Sequence, residues 1–369
     1  MPKAIAFIPH KKRVEKHKIE YLRAISDTMD DPYQAEDGRD IRGVQLELYN
    51  KCAKLSGIPY WTFTNCCTDS LQISIAALTD FGDSILVPAY GWRAFANAPV
   101  FMGRHIRFVD CDKTGNMDMD KALDGLIKEQ WGTIKAVIVV HNFGTITDVK
   151  KIYKTCKELG IAIIEDAAPS FYMGEPYNYI PGQCSDAVCY SFDFTKSPGT
   201  LGSGGGIAVN NEKLHNIINE LAAHGTSKDK SITRFGTKSF LDITSCAVLL
   251  TEINLFEENN YRERRRQVAS FYMDNLPYTN IAGDNFIWTK YAMAVPHNKV
   301  EEVLNKLHSI NCLARTMWKE PLTTFSWLNT NNDKCPQTEE FVKSLIHLPS
   351  HHFLETKDLE RIAKILQRI

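Results

Sequence analysis

IIEDAAPS (Ile163–Ser170) and SFDFTKSPGTLGSGGG (Ser191–Gly206) place an acid, Asp166, and a lysine, Lys196, at the ends of neighbouring apolar runs. Outward from these two stretches, runs of the same kind recur at YWTFTN (60–65), SILVPAY (84–90), IRFVDCD (106–112), KAVIVVHNFG (135–144), AVCYSFDF (187–194) and GGIAVN (205–210). Several are apolar throughout, as strands covered on both faces require. Between them lie segments with helical apolar spacing, such as Asp69 to Leu78 and Val149 to Leu159, the latter stopped by Gly160. The alternation predicts an α/β fold with a mostly parallel, doubly wound sheet of seven strands.

After Val209 the pattern turns mainly helical, from Lys213 to His224 and from Leu241 to Asn275, and short strands return near Trp288 to Val295. A division follows: an N-terminal arm and large domain over residues 1–260, and a smaller C-terminal α+β domain over 261–369, with the boundary inside a long charged helix. The basic run Arg262 to Arg266 reads as a solvated helix face.

With 369 residues and 44% hydrophobic composition the chain can bury a full core, and its formal net charge of -1 gives no global attraction to nucleic acid or anionic membrane. The N-terminus has one short apolar patch followed by basic residues, the reverse of a secretory signal, and no run is long enough to span a bilayer, which places the protein in the cytoplasm. Ten cysteines without paired spacing suit reduced thiols. Cys184, Cys189, His351 and His352 are too scattered for a metal site, so no metal is expected.

A lysine that can release a neutral amine and an acid that can keep a pyridine nitrogen protonated are the two side chains pyridoxal phosphate chemistry demands. Lys196 follows an apolar strand and precedes a glycine-rich turn; Asp166 stands at a strand's carboxyl end, where ligands of open parallel sheets bind. By position alone Asp166 also suits a helix cap or turn, and the partner lysine decides for the cofactor. The glycines run into a strand rather than a helix, so they are no dinucleotide fingerprint and instead permit close packing near Lys196. In NCCTDS (65–70) the backbone amides of Cys67 and Thr68 and the Thr68 hydroxyl form a phosphate cup at a helix N-terminus, although Thr68 and Ser70 are equally explained as caps. Ser191 offers a further hydroxyl. Trp92 is placed to stack on a pyridine ring or to be a core aromatic. His141 and Gly144 close another strand, with a structural role for the histidine. Arg93, Tyr177, Arg234 and Trp318 lie near pocket segments without an assigned role.

Taken together, NCCTDSL, VPAYGW, VVHNFGTITD, IIEDAAPS, YSFDFTKSPGTLGSGGG, SFLDITSCAVLL, YRERRRQVASFY, MWKEPL and HLPS resemble the DegT/StrS-type (DegT/DnrJ/EryC1/StrS) sugar aminotransferase family over nearly the whole chain. The resemblance implies fold type I architecture, pyridoxal 5'-phosphate as cofactor, Lys196 as the Schiff-base lysine, Asp166 as the pyridinium partner, Trp92 as the stacking aromatic, and Thr68 and Ser191 as phosphate ligands. It also implies a homodimer whose subunits complete each other's sites. Lys238 stands where the family often sends an asparagine to the partner's phosphate. Three further departures are Cys67 for a glycine or alanine, Pro169 for a polar residue and Ser203 for an acid.

The resulting expectation is a ping-pong transfer of an amino group from an amino acid, L-glutamate, to a nucleotide-linked keto sugar. A sugar dehydratase using pyridoxamine phosphate is the competing chemistry, but Lys196 stands where those relatives carry histidine. A cofactor-binding regulator without turnover is the competing non-enzymatic role.

Overall fold

The computed structural model describes residues 3–30, 42–171, 179–281 and 289–368; Tyr177 and Trp288, named above, lie outside them. The strands are β1 (Tyr60–Thr64), β2 (Ser84–Pro88), β3 (His105–Val109), β4 (Ile134–Val140), β5 (Ala162–Asp166), β6 (Ala187–Ser191), β7 (Gly205–Val209), β8 (Tyr291–Ala294) and β9 (Leu345–Leu348). The helices are α1 (His10–Met29), α2 (Gly43–Ser56), α3 (Cys67–Leu78), α4 (Ala94–Phe101), α5 (Met119–Ile127), α6 (Lys150–Leu159), α7 (Glu212–Ala222), α8 (Ile243–Glu258), α9 (Tyr261–Asn275), α10 (Val300–Ser309), α11 (Pro336–Phe341) and α12 (Thr356–Leu366).

The first seven strands form one sheet in the order β1-β7-β6-β5-β4-β2-β3. Only β7 runs against its neighbours; the other pairings are parallel. This is the mostly parallel, seven-stranded α/β sheet the apolar runs predict. Its central strands are buried along both faces, as Val137 to Val139 and Ile163 to Glu165 show. Because β1, β2, β4, β5 and β6 share a direction, their carboxyl ends meet at one edge, and antiparallel β7 brings its amino end, Gly205, to that same edge. Gly205 pairs with Thr64 on one side and Ser191 on the other.

Helix α3 packs over this sheet through Leu71 and Ile75, both fully buried. Two such side chains contribute about 1.5–3 kcal/mol each. The helix starts at Cys66, whose extended backbone and Sγ, accepting from the Asp69 amide, replace the usual hydroxyl cap. Helix α2 ends at Gly57, whose φ of 70° lets its amide close on the Ala53 carbonyl.

A second core gathers Val268 and Tyr272 of α9, Tyr291 and Met293 of β8, Ile346 and Leu348 of β9, Leu307 of α10 and Ile362 of α12. It also takes in Tyr90 and Phe143 from the large sheet's carboxyl edge. The cavity described below opens beside this contact.

Two expectations need correction. The helical stretch from Leu241 to Asn275 is not continuous: α8 ends at Glu258, and Asn260, at φ 48°, turns the chain before α9 begins. Asparagine tolerates this left-handed geometry better than most residues, which makes Asn259–Asn260 a natural break. Nor is the Arg262 to Arg266 run a solvated face throughout. Arg265 is buried and contacts His352 Nδ1 at 3.4 Å, and Arg264 donates to the Leu354 carbonyl at 2.7 Å. Burial pushes the Arg265 guanidinium down to about 10.

Candidate active site

Asp166 closes β5, Ser191 closes β6, Trp92 follows β2, and Cys67 and Thr68 begin α3 after β1. All five, with Lys196, line one cavity of about 440 Å³ at the sheet's carboxyl edge. Its remaining wall includes Asn142, Thr289, Lys290, Arg315 and Trp318. Of the site residues expected from the sequence, Lys238 alone lies elsewhere. It is exposed, its carbonyl accepting from Asn65 Nδ2 at 3.4 Å.

Asp166 is 4% exposed. Its Oδ1 accepts from the Ala168 amide at 3.0 Å, and the Cys67 Sγ lies 4.0 Å away. Burial raises its pKa, against the lowering influence of the Ala168 amide, Lys196 and His141. A carboxylate so placed is stabilised by a cation arriving from the cavity. The Cys67 thiol is pushed well up by burial and by Asp166, so it is no nucleophile.

The amino end of α3 is an anion site by geometry. Beside it, a Cβ added to Gly205 would stand 2.3 Å from the Cys66 carbonyl carbon and 2.6 Å from the Cys67 nitrogen. Glycine is therefore what lets β7 slide under the helix terminus and set the cup's depth. Gly199 performs a related service in the Lys196 loop, where a Cβ would meet the Asp193 oxygen at 2.5 Å.

Arg13 holds that loop from behind. Its guanidinium, 2% exposed, donates to the carbonyls of Lys196 at 3.2 Å and Thr200 at 2.8 Å, and pairs with Glu252 at 3.7 Å. Asp193 accepts from the Thr195 amide and hydroxyl at 2.9 and 2.6 Å, closing the loop locally.

His141 has the structural role expected. Its Nδ1 accepts from the Thr147 amide at 3.1 Å, which leaves Nε2 to donate to Glu165 at 2.8 Å, both side chains being fully buried. Neither His141 nor Gly144 lines the cavity; Asn142 between them does. Arg234 pairs with Glu220 away from the cavity, and Arg93 lies over the Trp92 ring at 4.9 Å. Trp318 stacks on Phe143 with centroids 5.4 Å apart and forms part of the wall. Lys290 and Arg315 escaped sequence reasoning. The one available signal is that Lys290 directly precedes an apolar strand, as Lys196 follows one.

The donor set fits pyridoxal phosphate: a helix terminus with the Thr68 and Ser191 hydroxyls for the phosphate, a buried carboxylate for the ring nitrogen, and a lysine in the same cavity. Among the described residues no group of three or more His, Cys, Asp or Glu is placed to hold a metal ion. None of the helices described is long and apolar enough to cross a membrane.

A parallel α/β sheet whose carboxyl edge carries this set defines a fold type I pyridoxal phosphate enzyme. Residues 36–367 match the model of the DegT/DnrJ/EryC1/StrS aminotransferase family, and the chain belongs to that family. It is accordingly a transaminase, with pyridoxal 5'-phosphate as cofactor. It is similar to the UDP-2-acetamido-2-deoxy-3-oxo-D-glucuronate aminotransferase of Pseudomonas aeruginosa, 29% identical over 89% of this chain and 92% of the relative. It is also similar to a pleiotropic regulatory protein of Geobacillus stearothermophilus, 27% identical over 76% and 77% of the two chains. The crystal structure of a DegT DnrJ EryC1 StrS aminotransferase from Brucella abortus superposes with a TM-score of 0.88, at 24% identity and 99% coverage of both chains.

Proposed function

We propose that this transaminase takes an amino group from L-glutamate and delivers it, in a second half-reaction, to the keto group of a nucleotide-linked sugar. The observation that carries the reading is the shared cavity of Lys196, Asp166 and the α3 terminus, and the relative from Pseudomonas aeruginosa supports the substrate class. Bound there, pyridoxal phosphate supplies the electron sink that lets the hydrogen beside an amine leave as a proton.

Lys196 has two tasks in this reading. Its Nζ would hold the cofactor between turnovers, and its neutral amine would be the base placed to move a proton at the donor's Cα. Asp166 keeps the pyridine nitrogen protonated. Trp92 forms one wall against which a planar ring packs. Thr68, Ser191 and the Cys67 amide would hold the phosphate, fixing the cofactor in the cavity that Lys196 lines.

The reading includes a homodimer in which Lys238 of one subunit reaches the other's phosphate. Two large apolar side chains on the loop leading to it, Ile232 and Phe235, are 81% and 88% exposed, a surface that association would cover. It also includes a division into residues 1–260 and 261–369, supported by the gathering of α9, β8, α10, β9 and α12 around a second core, and a cytoplasmic setting.

The relative described as a regulatory protein favours one competitor, a regulatory use of the same cofactor fold. Lys196 and Asp166 in one cavity count against a loss of turnover. The test is a coupled assay with cofactor, L-glutamate and a panel of UDP- and dTDP-linked keto sugars. Formation of 2-oxoglutarate that depends on one sugar class supports the reading; no amino sugar from any acceptor, with the cofactor bound, sinks it.

A further inference from the structure

The first described residues of the chain run from the second core to the loop that carries Lys196. The Ile5 amide donates to the Asn311 carbonyl at 2.8 Å, and the Ile5 carbonyl accepts from the Leu313 amide at 3.0 Å. The Ala6 carbonyl accepts from His351 Nε2 at 3.0 Å, and the Phe7 ring centroid lies 3.8 Å from the Arg315 guanidinium. Ile8 then lines the cavity. Helix α1 begins at His10, whose ring meets that of Phe194 edge-on, with centroids 5.1 Å apart.

Arg13, in the first turn of α1, closes the connection. Its Nη1 donates to the Lys196 and Gly199 carbonyls at 3.2 and 3.5 Å, and its Nη2 donates to the Thr200 carbonyl at 2.8 Å. A planar guanidinium presents several donors in fixed directions and can span such a set, whereas an ammonium is a point charge. The loop's own bonds are short-range: the Lys196 amide donates to the Asp193 carbonyl, and the Thr200 amide to the Phe192 carbonyl, both at 2.8 Å. The guanidinium is held in turn. One Glu252 oxygen pairs with it at 3.7 Å and the other accepts from the Tyr21 hydroxyl, and all three side chains are buried.

A lysine carries its amine on a flexible four-carbon stem, so the place of Nζ follows the place of the Lys196 peptide. Misplacing a reacting group by about 1 Å costs about a hundredfold in rate. We infer that Arg13 is a positioning residue for Lys196: from an arm anchored on the second core, it holds the Lys196, Gly199 and Thr200 carbonyls and so sets where the lysine amine stands. The inference rests on Lys196 holding the cofactor, as the proposed function has it.

The experiment compares the cofactor-loaded wild type with two variants. Arg13→Lys leaves Glu252 a cation and removes the planar fork. The double variant Arg13→Gln with Glu252→Gln removes the fork and the buried ion pair together, so no buried charge is left alone. Urea midpoints report the fold. Circular dichroism in the cofactor's visible band reports how the ring is held on the lysine, and the half-reaction with L-glutamate gives a rate constant and a KM. In both variants the dichroism changes by about half or more and the rate constant falls about tenfold or more, while KM for L-glutamate stays within about twofold. A purely structural Arg13 would move the urea midpoint and leave the dichroism and the rate constant alone. Dichroism and rate constant within about twofold of wild type in both variants would overturn the inference, with the proposed function untouched. A visible band that survives in Lys196→Ala would overturn the inference together with the lysine's assignment. Altered dichroism in both Arg13 variants of a protein that transfers no amino group would leave Arg13 in its role and remove the proposed function.

Discussion

Gly205→Ala is the substitution with the most sharply defined consequence. The added Cβ would lie 2.3 and 2.4 Å from the carbonyl carbon and oxygen of Cys66 and 2.6 Å from the Cys67 nitrogen. These are backbone atoms of the α3 terminus, so no side-chain rotation relieves the clash. Either α3 or β7 must retreat by about 1 Å to restore ordinary contact, and overpacking of this kind costs about 1–3 kcal/mol. The displaced element is the phosphate cup itself, so the cost falls on cofactor affinity as well as on stability. If half of it is expressed in binding, the dissociation constant rises about twofold to just over tenfold. Titration of apoprotein with pyridoxal phosphate, followed by absorbance, measures it; urea midpoints measure the stability share. Gly202→Ala is the control, because a Cβ there meets nothing within 4 Å. Wild-type cofactor affinity and urea midpoint in Gly205→Ala would refute the close approach of β7 and α3.

Asp166→Asn should retain the cofactor but lose about 10–100-fold in amino transfer, the worth of a charged hydrogen bond; a kcat within twofold of wild type would remove Asp166 from the ring nitrogen. Arg13→Ala strips a buried carboxylate, Glu252, of its cation and leaves the Lys196 and Thr200 carbonyls without their donor; a loss of about 3–5 kcal/mol in urea unfolding is expected, and less than 1 would contradict the clamp. Burial holds Glu252 up at about 7 despite Arg13, so the fold binds a proton there that the unfolded chain releases; its contribution to stability falls as pH rises from about 4.5 to about 7, and Glu252→Gln should flatten that slope. Burial pushes His347 and His351 down to about 3, so the unfolded chain takes up protons there first; the stability they give is present above about 6.5 and drains away as pH falls toward 3, which urea midpoints at pH 6.5 and 4.5 will show.

The sheet was legible because its strands are buried on both faces and therefore uniformly apolar. Asp166 and Lys196 were legible because each adjoins such a strand. What stayed hidden came from distance along the chain. Arg13 acts on the Lys196 loop from α1, and Lys290 and Arg315 reach the cavity from strand edges remote from Asp166; no local period links such residues. The Arg262 to Arg266 run misled because charge pattern records composition, whereas the burial of Arg265 is decided by the turn at Asn260 and the packing of His352 against α9. Asn142 was overlooked beside the more conspicuous His141, whose ring is fully occupied by Thr147 and Glu165.

The most direct test of the account is a single-turnover measurement on cofactor-loaded protein given excess L-glutamate and no acceptor. A two-stage transfer through Lys196 predicts one equivalent of 2-oxoglutarate per chain, loss of the visible cofactor band, and no such reaction in Lys196→Ala. A bound cofactor that L-glutamate and other amino acids leave unchanged, or equal 2-oxoglutarate from Lys196→Ala, would contradict it.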